Sequence, residues 1–385
     1  MANLFIKRVT KQGWILFCLG WLVFAAGACK KSTHGGVIQI GEVGVMTGGD
    51  ATFGISTHRG IVLALNELNA LGGIHGKQLK LVTLDDQGKA SEAILAMNQL
   101  IYQQKVHAIL GEAVSSLTLA IAPIAQKAKV PLLTPSSIHS KITEQGDYIF
   151  QTCFLDVFQS QVMAKFALQN LKVKRAAILR DSKSDTSQDS SKIFTKFFKN
   201  GGGQIVMDQS YSSGDIDFRS QLTAIRSVSP DVILIPGHYT EIGLIARQGR
   251  ELGIRAPYLG GDGWDSPKLF EIGGSALEGS YFVSHFAKDD PSPHVQQFIQ
   301  AFQAAFGEMP DGLAALGYDA ARVLGDSLNR AKSSDPADLR EAIASTKDFQ
   351  GVTGKITLNT QRHALKSGIV FKIGKNGQIK SDAMF

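Results

Sequence analysis

The sequence predicts an α/β protein of two similar lobes, and three observations predict it. Short apolar runs alternate with stretches whose apolar residues recur at helical spacing. The alternation begins at residue 37 and restarts near residue 158. The 385 residues, 44% hydrophobic and 19% charged, suffice for two domains with buried cores. A repeated strand–helix rhythm lays strands parallel and covers both faces of each sheet with helices.

VIQIGEVGV (37–45) opens the first series as a strand. HRGIVLALNELNALGG (58–73) is a helix stopped by Gly72-Gly73, QLKLVTLDD (78–86) a strand and ASEAILAMNQLIYQQ (90–104) a helix. The apolar run 106–110 leads through Ser115-Ser116 into a helix over 117–129 and a strand over 130–134. A helix N-terminus offers unpaired N–H groups and partial positive charge, which suit an anion. Serine is also an ordinary N-cap there, and the turn alone leaves both readings open.

The second series runs helix 158–172, strand 175–181, helix 190–203, strand 204–211, a helix and a strand within 217–237, helix 241–253, and strands 257–261 and 278–286. After 290 the pattern is helical. Residues 295–306 carry an apolar stripe (Val295, Phe298, Ile299, Phe302, Phe306), and helices follow over 312–331 and 337–346. The tail, 354–379, reads as strands with a hairpin turn at KNGQ, 375–378.

Residues 1–28 differ from the rest. Lys7, Arg8 and Lys11 precede an uncharged stretch, WILFCLGWLVFAAGA (14–28), and Cys29 follows. A basic start, an apolar segment too short to span a membrane and small residues before a cut form a secretory signal. Residues 29–36 read as a polar tether. Without 1–28 the formal charge falls from +6 to +3. No basic stripe interleaved with aromatics appears, so no nucleic-acid partner is expected. Cys18 lies in the leader, which leaves Cys153 as a lone thiol in the apolar IFQTCFLD, a buried small hydrophobe.

The chain lacks HxxxH and HExxH spacings, the phosphate loop and the GxSxG elbow. LGGDGWD (259–265) lacks dinucleotide-loop spacing, and Asp181, Asp185 and Asp189 lack the glycine and closing glutamate of a calcium loop. We therefore expect no catalytic residue, no metal and no cofactor.

Several stretches taken in order resemble a known family: GEVGVMTGGDATFG (41–54), ALNELNALGGIHGKQLKLVTLDD (64–86), LGEAVSSLT (110–118), PLLTPSS (131–137), DFRSQLTAIRSVSPDVILIPG (217–237) and ALGYDAARVL (315–324). Over about residues 37–380 the chain is similar to the bacterial leucine/isoleucine/valine-binding proteins, the type I periplasmic receptors of branched-chain amino acid ABC transporters. The resemblance implies two doubly wound parallel-sheet lobes joined by three crossing segments, near 155, 283 and 367. Lobe one would comprise 37–155 and 283–366, lobe two 156–282 and 367–385. Ala26-Gly27-Ala28-Cys29 resembles the lipoprotein processing site, which implies a lipid on Cys29 and attachment to a bacterial membrane, in the periplasm or at the cell surface.

The same resemblance implies a receptor without enzymatic activity, binding an amino acid (branched-chain or related apolar) or a similar small carboxylate by hinge closure. Its partner would be an ABC permease, and it would act as a monomer. A ligand sensor of the same fold is the alternative. Ser115, with Ser116 and the backbone of Ala113-Val114, would hold the α-carboxylate. Ser136 would offer its carbonyl to the ammonium. Ile138 stands where the family has Thr, keeping only its N–H, with Ser137 the candidate substitute for the lost hydroxyl. Asp262 would pair with the ammonium. His238, and next Tyr239, would present a side chain to the pocket, and Phe53 would cover the ligand's side chain. Asp185-Thr186 stand where members often have Tyr-Gly.

Overall fold

The computed structural model describes residues 36–375 and 379–384. The leader, Cys29, most of the tether and the turn expected at Asn376-Gly377-Gln378 lie outside them. Strands β1 (Val37–Gly44), β2 (Gln78–Asp85), β3 (Ala108–Gly111), β4 (Leu132–Thr134) and β5 (Ile149–Gln151) form a sheet ordered β2-β1-β3-β4-β5. Every pairing in it is parallel. Helices α1 (Ala51–Ala70), α2 (Ala90–Asn98) and α3 (Ser115–Ala128) connect its strands.

The second sheet is ordered β15-β14-β10-β9-β8-β6-β7. It contains β6 (Arg175–Asp181), β7 (Gln204–Tyr211), β8 (Val232–Leu234), β9 (Tyr258–Gly260) and β10 (Tyr281–Ser284), all parallel. The late strands β14 (Ile369–Ile373) and β15 (Ile379–Met384) close one edge antiparallel. Helices α4 (Asp156–Gln169), α5 (Asp185–Asn200), α6 (Arg219–Ser227), α7 (Tyr239–Glu251) and α8 (Pro267–Gly273) flank it.

Alternation along the strands feeds a core on each face. In β3, Ala108 and Leu110 pack toward one helical layer and Ile109 toward the other. In the second sheet Ala177 and Leu179 meet α6, α7 and α8, whereas Ala176 and Ile178 meet α4 and α5. Residues on both sides of a strand are apolar because both sides are covered.

Helices α9 (Pro293–Phe306), α10 (Gly312–Arg330) and α11 (Pro336–Ala344) bury their stripes on the first sheet, Phe298, Phe302 and Leu324 joining Ile38 and Ile40. Two glycines let α10 lie flush on α1. A Cβ on Gly60 would stand 1.9 Å from the Ala314 carbonyl oxygen, and one on Gly317 would stand 2.3 Å from that of Thr57. This close crossing carries the start of α10, with Asp311 and Leu313, to the edge of the first sheet's loops. A three-stranded sheet of β11 (Phe349–Gly351), β12 (Gly354–Leu358) and β13 (Ala364–Leu365) packs on the same core.

The chain crosses between the sheets three times: after β5, after β10 and between β13 and β14. The second crossing follows Ser284, because β10 pairs with β14 to its last residue. Helices α1 and α5 begin earlier than periodicity alone predicts, at Ala51 and Asp185. The Ser184 hydroxyl accepts the Ser187 N–H at 3.1 Å, capping α5. Strand β5 was not anticipated, being too short to show a period.

Candidate functional site

The carboxyl ends of both parallel sheets border one cavity of about 500 Å³, where a doubly wound sheet offers its loops to a ligand. Its first wall is built on the buried Glu112, just past β3. Glu112 Oε1 accepts the Val45 N–H at 3.2 Å and Oε2 accepts the Val114 N–H. The Glu112 carbonyl accepts the hydroxyls of Thr134 at 2.7 Å and Ser137 at 2.8 Å. One residue thus ties three loops together. Burial, with the nearby Asp86 carboxylate adding to it, pushes the Glu112 carboxyl well above the usual range, and burial raises Asp86 to about 6.

Val114 spends its N–H on Glu112. The N–H groups of Ser115 and Ser116 belong to the first turn of α3, where no carbonyl lies four residues back to accept them. Both residues line the cavity. Ser115 is not the cap of its helix: Val114 holds that position and no side chain caps it. The Ser115 hydroxyl instead accepts the His139 N–H at 3.3 Å. Ser136, Ile138 and Phe53 line the same wall. Ser137 does not. Its side chain is fully buried, held by Glu112 and by Thr118 Oγ1 at 2.7 Å, so it does not replace the missing threonine hydroxyl.

Asp262 follows β9 on the opposite wall. It is only 8% exposed, and its N–H donates to Gln159 Oε1 at 2.9 Å. Among the described residues, the one base within ion-pair reach of its carboxylate is His285, at 3.5 Å. Burial lowers His285 to about 4, and its ring stacks on Phe154 at 3.5 Å between centroids, so it is neutral. A nearly buried carboxylate facing a neutral base calls for a cation from outside the protein.

A profile described as periplasmic binding protein matches residues 37–378. The chain belongs to the periplasmic binding protein family. A Leu/Ile/Val-binding protein homolog of Brucella melitensis is 29% identical over 343 residues, covering 88% of this chain and 92% of its own. A leucine binding protein from Thermotoga maritima superposes with a TM-score of 0.86 at 39% identity, over 91% of this chain and 99% of that one. The isoleucine complex of a branched-chain amino acid transporter substrate binding protein from Streptococcus pneumoniae gives 0.85 at 32% identity, over 90% and 98%. Membership places this chain among extracytoplasmic solute-binding proteins.

In this periplasmic binding protein the cavity's two walls are clasped together. His238 Nδ1 stands 3.0 Å from Asp50 Oδ1, and the Tyr239 hydroxyl donates to the Gly49 carbonyl at 2.8 Å. Both rings meet Phe53 edge-on, at 5.1 and 5.0 Å. Burial alone would lower His238, but the Asp50 carboxylate outweighs it and holds the imidazole at about 9. His238 lines the cavity. Tyr239 does not; at 3% exposure it is spent on the clasp, which corrects its expected place in the pocket. Thr186 reaches the lining, whereas Asp185 stands exposed outside it.

Sequence reasoning missed Glu112, Gln159, Asp181, Tyr211, Glu241 and Leu313. Asp181 and Tyr211 end β6 and β7, and the rule that ligands sit beyond strand carboxyl ends was the available signal. Cys153 is buried and free, its Sγ donating to the Ser137 carbonyl, and burial pushes its thiol far up. Among the described residues no cluster of three or more His, Cys, Asp or Glu is arranged to hold a metal, and no helix is long and apolar enough to cross a membrane.

Proposed function

We propose that this chain is the extracytoplasmic solute-binding receptor of an ABC importer, capturing an amino acid (branched-chain or related) or a similar small carboxylate. The observation that carries the reading is the pairing of the walls: unpaired N–H groups at Ser115 and Ser116 face a cavity across which Asp262 lacks a cation. A zwitterion satisfies both at once, its carboxylate at the helix start and its ammonium on Asp262. The named ligands of relatives, leucine, isoleucine and valine, fit that grip. Micromolar affinity needs about −8 kcal/mol, within reach of a few charge-assisted bonds and one buried side chain.

The open form takes ligand on lobe one (37–155 and 283–366), and lobe two (156–282 and 367–385) swings over it about the three crossings. The closed receptor delivers to its permease as a monomer and does no chemistry itself. The leader is removed and Cys29 carries the lipid, a reading supported by the run from Lys7 through Ala28. A thermal-shift screen of amino acids and small carboxylates tests the binding reading. The stabilising ligand raises the melting temperature with the logarithm of its excess, and Ser115→Ala and Asp262→Ala each remove most of that rise. Two variants that respond like the unsubstituted chain would sink the assignment.

A further inference from the structure

The second wall holds more polar chemistry than an aliphatic guest uses. Tyr211 ends β7, is 4% exposed and lines the cavity, yet its hydroxyl has no hydrogen-bond partner among the described residues. Ser190, on α5, is also 4% exposed, lines the cavity and leaves its hydroxyl unpartnered. Both hydroxyls open onto the cavity, where a polar atom of a guest can take the hydrogen bond that water otherwise makes. Both groups await a polar atom inside the cavity.

The charges around them have one sign in excess. Acids lining the cavity are Asp50, Asp181, Glu241 and Asp262; the lining bases are His238 and the exposed Lys183. His238 is committed to Asp50. Asp181 Oδ1 accepts the N–H groups of Lys183 at 2.9 Å and Ser213 at 3.1 Å and its Oδ2 accepts the Ser213 hydroxyl, while Glu241 Oε1 accepts the Gly214 N–H at 2.9 Å. An ionised carboxylate offers about four lone-pair sites, so both acids keep acceptor capacity. Burial raises the Tyr211 phenol well above its ordinary value, with Glu241, Asp181 and Asp50 adding to it. The hydroxyl therefore stays protonated among carboxylates.

Opposite lie Phe53, Val114, Leu117 and Leu313, an apolar strip. Strand β8 separates β6 from β9. Asp181 and Asp262 therefore stand two strand spacings apart along the sheet, roughly 10 Å. An apolar strip facing two acids so spaced matches a flexible aliphatic stem with a cation at its tip.

We infer that the cavity takes a second class of guest besides the apolar one, namely amino acids with a cationic tail, whose stem lies on Phe53 and Leu313 and whose tip meets Asp181, Glu241 and the Tyr211 hydroxyl. The inference rests on the zwitterion grip proposed above and names what lies beyond it. Calorimetric titration with L-lysine, L-arginine and L-ornithine, beside L-norleucine as the uncharged-stem control, tests it on the purified chain. At least one basic amino acid binds as tightly as norleucine or tighter. Tyr211→Phe and Glu241→Gln each weaken that guest about tenfold and change norleucine less than twofold. Thermal melts of the ligand-free variants verify that both fold.

Binding of norleucine with none of the basic amino acids overturns the tail site and leaves the zwitterion grip standing. Binding of a basic amino acid that neither substitution weakens overturns the assigned residues. Failure of all four guests overturns the grip and the tail site together.

Discussion

The first wall of the cavity presents backbone N–H groups braced by a buried carboxyl, Glu112, whereas the second presents side chains, Asp262, Asp181, Tyr211 and Ser190. The first is anchored to a frame in which α1 and α10 touch backbone to backbone at Gly60 and Gly317. The second stands on the last residues of β6 and β7, the helix α5 and the segment that follows β9. Backbone donors cannot be changed by substitution, so the first wall fixes what every guest must share. Side chains can be exchanged one at a time, so the second wall is where one receptor comes to differ from another in what it accepts.

The largest effect is expected from attacking the brace. Glu112→Ala strands the N–H groups of Val45 and Val114 and frees their two loops, while the main-chain carbonyl that holds Thr134 and Ser137 remains. The cost is about 2–4 kcal/mol, read as a fall of several degrees in the melting temperature of the ligand-free chain. A melt unchanged within a degree means that the first wall is held by something else.

Next comes the clasp. The raised pKa of His238 means that the Asp50–His238 pair supports the closed form fully below pH about 6.5 and is lost as pH rises through about 9. Ligand dissociation, followed by stopped flow, accelerates as pH climbs from 7 to 9.5 in the unsubstituted chain. His238→Gln dissociates faster at neutral pH and shows no such climb.

A smaller effect belongs to the carboxyls that meet beside the second crossing. Asp265 Oδ2 accepts the Ser284 hydroxyl at 2.5 Å, and burial, with the Asp311 carboxylate, pushes Asp265 up to about 6. A raised carboxyl contributes stability below its unfolded value, near 4, that is lost as pH rises through about 6. Asp265→Asn therefore gains on the unsubstituted chain as pH goes from 4 to 7, measured by paired melts. A gap that stays constant with pH contradicts the pairing. Least of all is expected of Thr186→Ala, under about 0.5 kcal/mol in stability for a partly exposed side chain.

Much of the frame was legible without coordinates. Strands β6 and β7 occupy the residues their apolar runs marked, 175–181 and 204–211. Helix α3 continues through Pro123 because Ile121, Ala122 and Ala125 are buried around it, and packing outweighs local propensity. Strand β5 was invisible, since three residues carry no period. The parts of the site that resemblance could mark, Ser115, Ser136, Ile138, His238, Phe53 and Asp262, come together on the cavity. Tyr239 and Ser137 carry suitable groups, but neighbours consume both hydroxyls.

What the sequence determined by itself is the alternation of strand and helix, because periodicity reports burial residue by residue. Sheet order, the partner of each polar group and the convergence of Asp181, Tyr211, Glu241 and Asp262 were decided only by the tertiary structure. Those residues lie tens of positions apart, and their meeting depends on which strands neighbour one another and on which hydroxyls and amides are already bonded, neither of which is written in local order.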